Sequence, residues 1–370
     1  MKSRSICLRF ASCFFLLFVL FFAANWSLRR FSQQTEIVSN EIYAGPKADP
    51  EPGQLHGFLP LDIAQETCQR RRLNPFAKRD VRRKVYDMFL ISNELDWLDI
   101  RLNELDNEVD YFIILEADST FQEGPKALRL LEHWQDFARF HQKMIRQTVK
   151  LSEAKLPDGD TWEHERFMRN ALFDQGMVDL PEHARPDQGD VLLVSDIDEI
   201  PRPETVSLLR NCAFPQRVTL RSHFYYYSFQ WQHRGEQWAH PQATYFDGFD
   251  KTIKPEELRS GAQKSPYFEL YNAAWHCSSC MATLNDLVDK ITSFSHKGYN
   301  HPHILDKARL LQTVRNGVDL FERKDQIYDR IDNNLDIPTY LKKNDIEEKY
   351  KYILDRDPPN ANFADSNGFD

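Results

Sequence analysis

The sequence contains little glycine and fewer basic than acidic residues. These two features exclude several classes of protein. Thirteen glycines and 19 prolines in 370 residues are far too few for a collagenous or low-complexity chain. The 47 Lys and Arg residues are outnumbered by 56 Asp and Glu residues, which gives a formal charge of −9. Because a nucleic-acid scaffold needs a basic face, we expect no nucleic-acid partner. An anionic ligand must then be held by local groups or by a metal.

An apolar run near the N-terminus predicts a membrane anchor. Residues 10–24 read FASCFFLLFVLFFAA, and with their apolar flanks they approach the ~20 residues that cross a bilayer as a helix. A cleaved signal peptide is the alternative, but cleavage after Ala24 would place Phe22 where a small residue is needed. We therefore expect a cytoplasmic tail over residues 1–9, a signal-anchor over residues 10–28 and a large domain beyond the membrane.

The rest of the chain divides by composition into a linker, one domain and a tail. Residues 29–80 are rich in proline, which predicts a stem that acts only as a linker. Residues 81–350 have the alternating and helical periodicities of a folded α/β domain. Residues 351–370 are largely polar without apolar periodicity, so we expect them to be disordered.

Cysteine is scarce as well. Four of the six cysteines lie beyond the apolar run, at Cys68, Cys212, Cys277 and Cys280. In an oxidising lumen these four can form disulfides, with three possible pairings. A zinc site formed by the last two cysteines with His276 and His296 is the alternative, although one Cys-x-x-Cys with scattered histidines is a weak signal. We expect structural disulfides.

Three segments near residue 100 predict a β-α-β unit. Residues 84–91 and 110–115 have the apolar character of buried strands, and residues 95–105 between them have helical spacing. A strand, a helix and a second strand in this order form the start of a parallel sheet. Residues 143–149 are a candidate for the next strand.

Ligands of parallel sheets bind where the strands end, and a set of polar side chains follows the predicted strands. The candidates for nucleotide binding are Asn93, Glu94, Glu116 and Asp118 after the strands, and Arg169 and Asn170 on a helix predicted over residues 162–174. The last two could hold a diphosphate. For each of the six, the alternative is a solvated loop residue, a helix cap or a surface salt bridge.

The strongest signal is a cluster of carboxylates after another apolar segment. Residues 191–194 predict a buried strand, and Asp196, Asp198 and Glu199 follow it closely. Strand alternation would put Asp196 and Asp198 on one side, where two like charges need a cation between them. Carboxylate oxygens are hard ligands suited to Mg²⁺ or Mn²⁺, which also bind diphosphate oxygens. We therefore predict a divalent-metal site at Asp196 and Asp198.

An aromatic stretch follows at residues 224–238, which read FYYYSFQWQHRGEQW. Aromatic faces stack on the apolar faces of pyranose rings, and the amides between them could read sugar hydroxyls. The alternative is a pair of core strands joined by a hairpin. Both interpretations remain open for the individual rings.

Several segments in this order resemble glycosyltransferase family 17. Asn-Glu-Leu-Asp at 93–96, Asp-x-Asp-Glu-Ile-Pro at 196–201 and Trp-His-Cys-Ser-x-Cys at 275–280 are jointly specific. Further matching segments lie at residues 84–87, 100–105, 109–112 and 317–321. The resemblance implies an α/β fold with a GT-A-like, Rossmann-type nucleotide-sugar transferase domain behind an N-terminal transmembrane helix and stalk.

The resemblance also implies an activity and a location. A family member would move N-acetylglucosamine from UDP-GlcNAc to a β-linked mannose of an N-glycan on a glycoprotein, with inversion and a divalent metal (Mn²⁺ or Mg²⁺). It would be a single-pass type II membrane protein of the Golgi with its catalytic domain in the lumen. The family pattern places Asp196 and Asp198 at the metal and diphosphate, Lys290 at a phosphate and His296 as a further metal ligand.

A catalytic base completes the hypothesis. A carboxylate must take the proton of the acceptor hydroxyl, because a sugar hydroxyl is a poor nucleophile without a base. We choose Asp286, which follows the Cys-x-x-Cys pair where the acceptor should enter, with Glu199 as the second candidate. Three alternatives stay open: a related Golgi transferase with another donor or acceptor, a haloacid-dehalogenase-like phosphatase, whose Asp-x-Asp would lie on the first strand, and a non-catalytic luminal glycan-binding protein.

Overall fold

The computed structural model describes residues 56–157, 159–261, 267–358 and 361–366. The predicted cytoplasmic tail, the signal-anchor and the linker as far as residue 55 lie outside the described residues. Among the helices that are described, none is both long enough and apolar enough to cross a membrane.

The strands of the described chain form one large mixed sheet and one small sheet. The strands are β1 Asn74–Pro75, β2 Val85–Ile91, β3 Tyr111–Ala117, β4 Met144–Val149, β5 Val191–Val194, β6 Glu199–Pro201, β7 Cys212–Ala213, β8 Val218–Tyr226, β9 Ser228–His233, β10 Gln242–Tyr245, β11 Phe268–Ser278 and β12 Tyr328–Arg330. The large sheet has the order β12-β9-β8-β10-β5-β2-β3-β4, with β11 pairing β8 and β6. The small sheet is the antiparallel pair β1-β7.

The helices fall between and after these strands. The α-helices are α1 Leu61–Arg70, α2 Leu95–Leu105, α3 Arg129–Glu132, α4 Thr161–Asp174, α5 Pro203–Asn211, α6 Pro255–Ser260, α7 Leu284–Ser293, α8 Pro302–Leu305, α9 Lys307–Asn316, α10 Asn344–Lys349 and α11 Lys351–Leu354. Short 3-10 helices lie at Trp134–Phe140, Leu151–Glu153, Glu182–Ala184, Lys297–Tyr299 and Thr339–Lys342.

The parallel part of the sheet confirms the predicted β-α-β unit. Strands β5, β2, β3 and β4 are parallel neighbours, and α2 joins β2 to β3 over the residues that the helical spacing indicated. Strands β10, β8, β9 and β12 continue the sheet in antiparallel pairs. The fold is therefore α/β with a mixed sheet, and the carboxyl ends of β2, β3 and β5 meet at one edge.

Helices cover both faces of the parallel part of the sheet, and β2 is therefore buried on both sides. Phe89 of β2 packs in a cluster with Trp97 of α2, whereas Met88 packs in another cluster with Met168 of α4. A strand covered on both faces reads as a nearly continuous apolar run, as β2 does. This packing places α2 and α4 on opposite faces of the sheet, next to the edge where the parallel strands end.

The aromatic stretch at residues 224–238 is mostly core. Tyr225, Tyr227 and Phe229 are fully or almost fully buried in the β8-β9 strand pair. The alternative of core strands is therefore correct for these three rings. Phe224 and Trp238 differ from them because they line a cavity.

The predicted linker is folded from residue 56 onward, which corrects the domain boundary at residue 81. Helix α1 buries Ala64 and Cys68, and a disulfide joins Cys68 to Cys212 after α5. Strand β1 then pairs with β7 next to this disulfide. Proline content predicts a linker here. The prediction fails because composition carries no information on a covalent bond to a residue 144 positions away. The first described residues are thus part of the domain.

The described part of the tail is also ordered, which contradicts the prediction of disorder over residues 351–370. Helix α11 buries Ile353, and Phe363 is buried against the core under α7 and α9. The Asp365 carboxylate accepts hydrogen bonds from the backbone amides of Leu284 and Asn285 at the start of α7. Few apolar residues were enough to fix this segment because helix α7 offered unpaired amides.

The second disulfide excludes the zinc alternative. Cys277 at the end of β11 is bonded to Cys280, so neither sulfur remains as a thiolate ligand. The two disulfides decide among the three pairings that the sequence left open. The Cys277–Cys280 bridge also shapes the turn that carries Ser278 and Ser279 into the cavity wall.

Candidate active site

A cavity of about 630 Å³ lies at the edge where the parallel strands end. Its lining includes residues at or after the ends of β2, β3 and β5 and residues of β8, β11, α4 and α7. Ligands of open α/β sheets bind at this edge. We call residues 195–199 the carboxylate turn, and the carboxylate turn with Arg259, Lys290 and His276 the floor of the cavity.

The two aspartates are held by a turn, which corrects the argument from strand alternation. Strand β5 ends at Val194, and the Glu199 amide donates to the Asp196 carbonyl (2.9 Å) to close a turn before β6 begins. Asp196 and Asp198 nevertheless both line the cavity. The expectation of two carboxylates on one side was correct, but their common direction comes from the turn.

A buried arginine holds the carboxylate turn from below. Arg101 of α2 forms two hydrogen bonds to the Asp87 carboxylate (2.6 and 2.7 Å), and both side chains are completely buried. Its other donors reach Ser195 Oγ (2.6 Å) and the carbonyl oxygens of Asp196 (2.8 Å) and Glu199 (3.1 Å). Charge-assisted bonds to several carbonyls fix the backbone of the turn. Arg101 therefore positions both aspartates relative to the sheet.

Glu199 is a structural residue, which contradicts its prediction as a catalytic base. Its side chain is completely buried; Arg259 Nη1 donates to Oε2 (2.7 Å) and Trp238 Nε1 donates to Oε1 (2.6 Å). Burial alone would raise the pKa of Glu199, but the charges of Arg259 and His276 hold this pKa well below its ordinary range. A carboxylate that is paired so firmly is a poor proton acceptor.

The aspartates of the turn face cations. Arg259 Nη2 donates to Asp196 Oδ2 (2.9 Å), and Lys290 Nζ donates to Asp198 Oδ2 (2.8 Å). Burial lowers the pKa of Lys290, but Asp198 and then Glu94 outweigh burial and hold this pKa above its ordinary value. The Asp196 side chain is half exposed to the cavity, whereas Asp198 is almost buried. The prediction that Lys290 belongs to the site matches this geometry.

The two aspartates could hold a divalent cation only if atoms from outside the protein complete the coordination shell of the cation. Asp196 Oδ1 lies outside the ion pairs, whereas Asp198 Oδ1 faces His276 Nε2 at 3.8 Å. The turn therefore offers one hard oxygen atom clear of any pair and a second that it shares with His276. Within the described residues, no group of three or more His, Cys, Asp or Glu side chains could bind a metal. Diphosphate oxygens and waters would have to supply the other ligands of a Mg²⁺ or Mn²⁺ ion.

The structure does not bring His296 to the aspartates. His296 is exposed on the loop after α7, and its ring meets the edge of Trp162 with centroids 4.7 Å apart. His276 lies closer to the turn, with Nε2 at 3.8 Å from Asp198 Oδ1 and its ring stacked on Phe224. Since no group of three His, Cys, Asp or Glu side chains in the described residues could bind a metal, His296 does not complete the predicted ligand set with Asp196 and Asp198.

The nucleotide candidates divide into two groups. Asn93, Glu94 and Arg169 line the cavity. Arg169 pairs there with Glu165 and Glu256 of the same wall. The three candidates Glu116, Asp118 and Asn170 do not line it.

Backbone contacts explain why these three point elsewhere. The Glu116 carboxylate accepts the amides of Leu130 and Leu131 at the start of α3. Asp118 accepts two hydrogen bonds from Ser152, and Asn170 Oδ1 accepts the amide of Glu256 at the start of α6. Each therefore matches the capping alternative, since a side chain that caps a helix or turn satisfies its amides.

Asp286 lies behind the cavity wall. It occupies the first turn of α7, where its amide donates to Thr283 Oγ1 (2.9 Å) and its carboxylate accepts from the Thr283 hydroxyl. Its other contact is with Asn93 Nδ2 (3.4 Å), and Asn93, not Asp286, lines the cavity. Burial raises the pKa of Asp286. The structure thus favours a helix-capping role over that of the predicted catalytic base.

Sequence reasoning missed Arg101, Arg259 and Lys126. Arg101 had a readable signal, because it interrupts the buried apolar face of α2, where a charge needs a partner. Arg259 and Lys126 lie on a short helix and on a loop and gave no signal. Burial lowers the pKa of Lys126, which lines the cavity next to Ile91.

The mixed α/β sheet and the carboxylate turn at the ends of its parallel strands define a ligand-binding site of the kind found in α/β enzymes. The sequence profile of glycosyltransferase family 17 matches residues 13–358. The chain belongs to glycosyltransferase family 17, which confirms the prediction from the residues.

Two relatives with described activities resemble this chain. The β-1,4-mannosyl-glycoprotein 4-β-N-acetylglucosaminyltransferase of Homo sapiens is 28% identical over 323 residues, which cover 77% of this chain and 57% of the human protein. The enzyme of the same name from Rattus norvegicus is 28% identical, covering 77% of this chain and 56% of its own length. The chain thus spans little more than half the length of these relatives.

A distant structural neighbour was also found. It is a mannosyltransferase from Pyrobaculum calidifontis, solved in complex with GDP-Man and Mn²⁺. The sequence identity is 11% and the TM-score is 0.31, over 80% of this chain and 74% of the neighbour.

Proposed function

We propose that this protein transfers N-acetylglucosamine from UDP-GlcNAc to a β-linked mannose of an N-glycan. The observation that carries the proposal is the carboxylate turn at the cavity floor, where Asp196 and Asp198 lie beside Arg259 and Lys290. Membership of glycosyltransferase family 17 and the names of the two relatives supply the donor and acceptor classes.

The floor residues suit a nucleotide diphosphate. Lys290 and Arg259 are cations fixed by carboxylates at the sheet edge, where they can bind phosphate oxygens. A divalent cation bound at Asp196 and Asp198 would stabilise the negative charge of the departing diphosphate. Arg101 and Asp87 would keep the carboxylate turn in place when the cation and the diphosphate bind, because both side chains are buried and paired with each other.

The transfer itself needs a proton acceptor on the acceptor side of the sugar. In an inverting displacement the acceptor oxygen forms a bond to the anomeric carbon, the bond from that carbon to the diphosphate breaks, and a base takes the hydroxyl proton. Carboxylates that line the cavity outside the turn are Glu94, Glu165 and Glu256. We propose that the base is Glu94, because Arg169 pairs with both Glu165 and Glu256. Asp286 and Glu199 do not face the cavity with a free oxygen.

We further propose a single-pass type II Golgi protein with its catalytic domain in the lumen. The apolar run at residues 10–24 supports the anchor, and two disulfides in the domain suit an oxidising compartment. Protease treatment of intact vesicles should leave the C-terminal domain undigested until detergent is added. Digestion without detergent would contradict this topology.

The activity is tested by incubating the purified full-length protein with individual UDP-sugars and an oligosaccharide that carries a β-linked mannose. Mass spectrometry should show the addition of one N-acetylhexosamine, only with UDP-GlcNAc and only with added Mn²⁺ or Mg²⁺. Transfer from another UDP-sugar would keep the transferase class and change the donor. Glycan binding without transfer or donor hydrolysis would indicate the glycan-binding alternative and contradict the proposal.

A further inference from the structure

Five aromatic rings converge where the cavity opens, and we call these five the mouth. They are Trp162 on α4, Phe294, His296 and Tyr299 after α7, and Phe321. Tyr299 and Phe321 are stacked with ring centroids 3.9 Å apart. His296 meets the edge of Trp162, and Phe294 stacks on Phe321 (6.0 Å). Three segments far apart in sequence thus contribute rings to one surface beside the floor.

Trp162 is the ring that the fold itself does not need. Its side chain lies in the first turn of α4 and is 52% exposed, and it belongs to none of the three buried clusters of the described chain. A large ring left in water forgoes most of the stabilisation that burial would provide. Tryptophan in such a position is typical of a surface that binds a partner with an apolar face.

The mouth is preformed, because hydrogen bonds join its segments below the rings. The Thr161 hydroxyl donates to the Ser295 carbonyl (2.7 Å), which ties α4 to the loop after α7. Gln122 Nε2 donates to the Phe294 carbonyl (2.9 Å), which ties the same loop to the loop after β3. A ligand that enters such a surface loses little free energy to ordering the protein.

The chemistry of the mouth differs from that of the floor and points to a carbohydrate. Neutral polar groups, Ser293 and Gln326, line the cavity beside the rings. Arg323 also lines it, but its guanidinium is paired with the Asp319 carboxylate. A diphosphate is served by the cations of the floor, whereas rings with hydroxyl and amide groups between them suit the apolar face and hydroxyls of a pyranose.

We propose that Trp162, with His296 and Tyr299, binds a sugar ring of the acceptor glycan while the floor holds the donor. This assignment rests on the proposed function. It gives His296 a place in the acceptor site instead of the predicted place at the metal. Stacking on Trp162 orients the glycan so that its reacting hydroxyl points along the cavity toward the carboxylate turn.

The test compares kinetic constants of full-length variants for the two substrates. Trp162→Ala should raise the KM for the mannose-containing oligosaccharide about tenfold, because it removes one aromatic stacking partner. The donor KM should not change, because the floor and not Trp162 holds the donor. Trp162→Phe retains a ring and should restore most of the acceptor affinity. Tyr271→Ala serves as the matched control, since Tyr271 is 49% exposed and lies outside the cavity.

Calorimetric titration of the oligosaccharide in the absence of donor gives a readout independent of transfer. Binding to the wild type that weakens about tenfold in Trp162→Ala supports the proposal even if no UDP-sugar is transferred, in which case the proposed function alone fails. An unchanged acceptor KM and affinity, or a rise confined to the donor KM, would overturn it. Absence of glycan binding and transfer in the wild type would overturn it as well.

Discussion

The floor and the mouth of the cavity are built by opposite means. The floor consists of charged side chains that are mostly buried and paired, such as Glu199 with Arg259 and Asp198 with Lys290. The mouth consists of rings that remain partly in water, and Trp162 and His296 are exposed. The comparison shows that one cavity combines a charged surface of paired side chains with an exposed aromatic surface.

The two regions should therefore respond differently to substitution. A buried ion pair contributes little net stability. Removing one partner is nevertheless costly, because the other charge is left buried without an opposite charge beside it. An exposed ring contributes little to folding, so its removal affects the ligand alone. Changes in the floor should lower both stability and activity, whereas changes in the mouth should leave stability intact.

The largest effect is expected for Glu199→Gln, which removes the charge beside Arg259. We expect a loss of about 3 to 5 kcal/mol in the free energy of unfolding, measured with denaturant at pH 7, because Arg259 is left partly uncompensated. Glu153→Gln is the control, since Glu153 forms an exposed pair with Lys150 and should not change stability measurably. A stable Glu199→Gln variant without activity would restore Glu199 as a catalytic base.

The stability difference between the wild type and Glu199→Gln should depend on pH, and its sign follows from the depressed pKa of Glu199. The folded-state pKa lies below the ordinary value of 4.5, at about 2. The stability contributed by this carboxylate is complete above about pH 4.5 and is lost as the pH falls toward about 2. The difference between wild type and variant should therefore shrink across this window. A constant difference would indicate that the ion pair with Arg259 does not form.

Asp198→Asn comes next and tests the floor as an active site. The amide keeps the shape but removes a charge, so turnover should fall by about two to three orders of magnitude, a size typical of lost electrostatic stabilisation. The unfolding temperature should fall slightly, because Lys290 loses its partner. Asp62→Asn on the exposed face of α1 is the control. Normal turnover with retained metal dependence would refute the assignment of Asp198.

The smallest effect is expected for Asp286→Asn, which lies outside both regions. If Asp286 completes the cap of α7 with Thr283, stability should fall by about 1 kcal/mol and turnover should stay near normal. Thr283→Ala should behave alike, because it removes the other half of the same cap. A fall in turnover of two or more orders of magnitude, with UDP-GlcNAc affinity preserved, would instead identify Asp286 as the base.

Local patterns were read correctly where the chain itself decides the structure. The strands β2 and β5 and the helix α2 lie at the predicted residues, because alternating or helical spacing of apolar side chains specifies which faces are buried. Strand alternation predicts that Asp196 and Asp198 lie together, and both line the cavity, although a turn and not a strand holds them there. The family resemblance followed from such local segments.

Long-range pairs were out of reach of the same reasoning. Nothing near Cys68 shows that it bonds to Cys212, so the start of the domain was placed too late. The polarity of the tail predicts disorder, and the α7 amide of Asn285 that Asp365 caps lies 80 residues away and leaves no local signal. The acidic segment alone suggests a base at Glu199, because its partner Arg259 lies on a short helix 60 residues downstream.

The parallel β-α-β core, the acidic segment after β5 and the family can thus be predicted from the residues alone. The packed fold shows in addition that Glu199 is a buried partner of Arg259, that Asp286 caps a helix, and that His296 lies with Trp162 at the mouth. The spacing of side chains along the chain specifies only which of them share a local face. Burial and charge pairing depend on what the rest of the chain packs against that face.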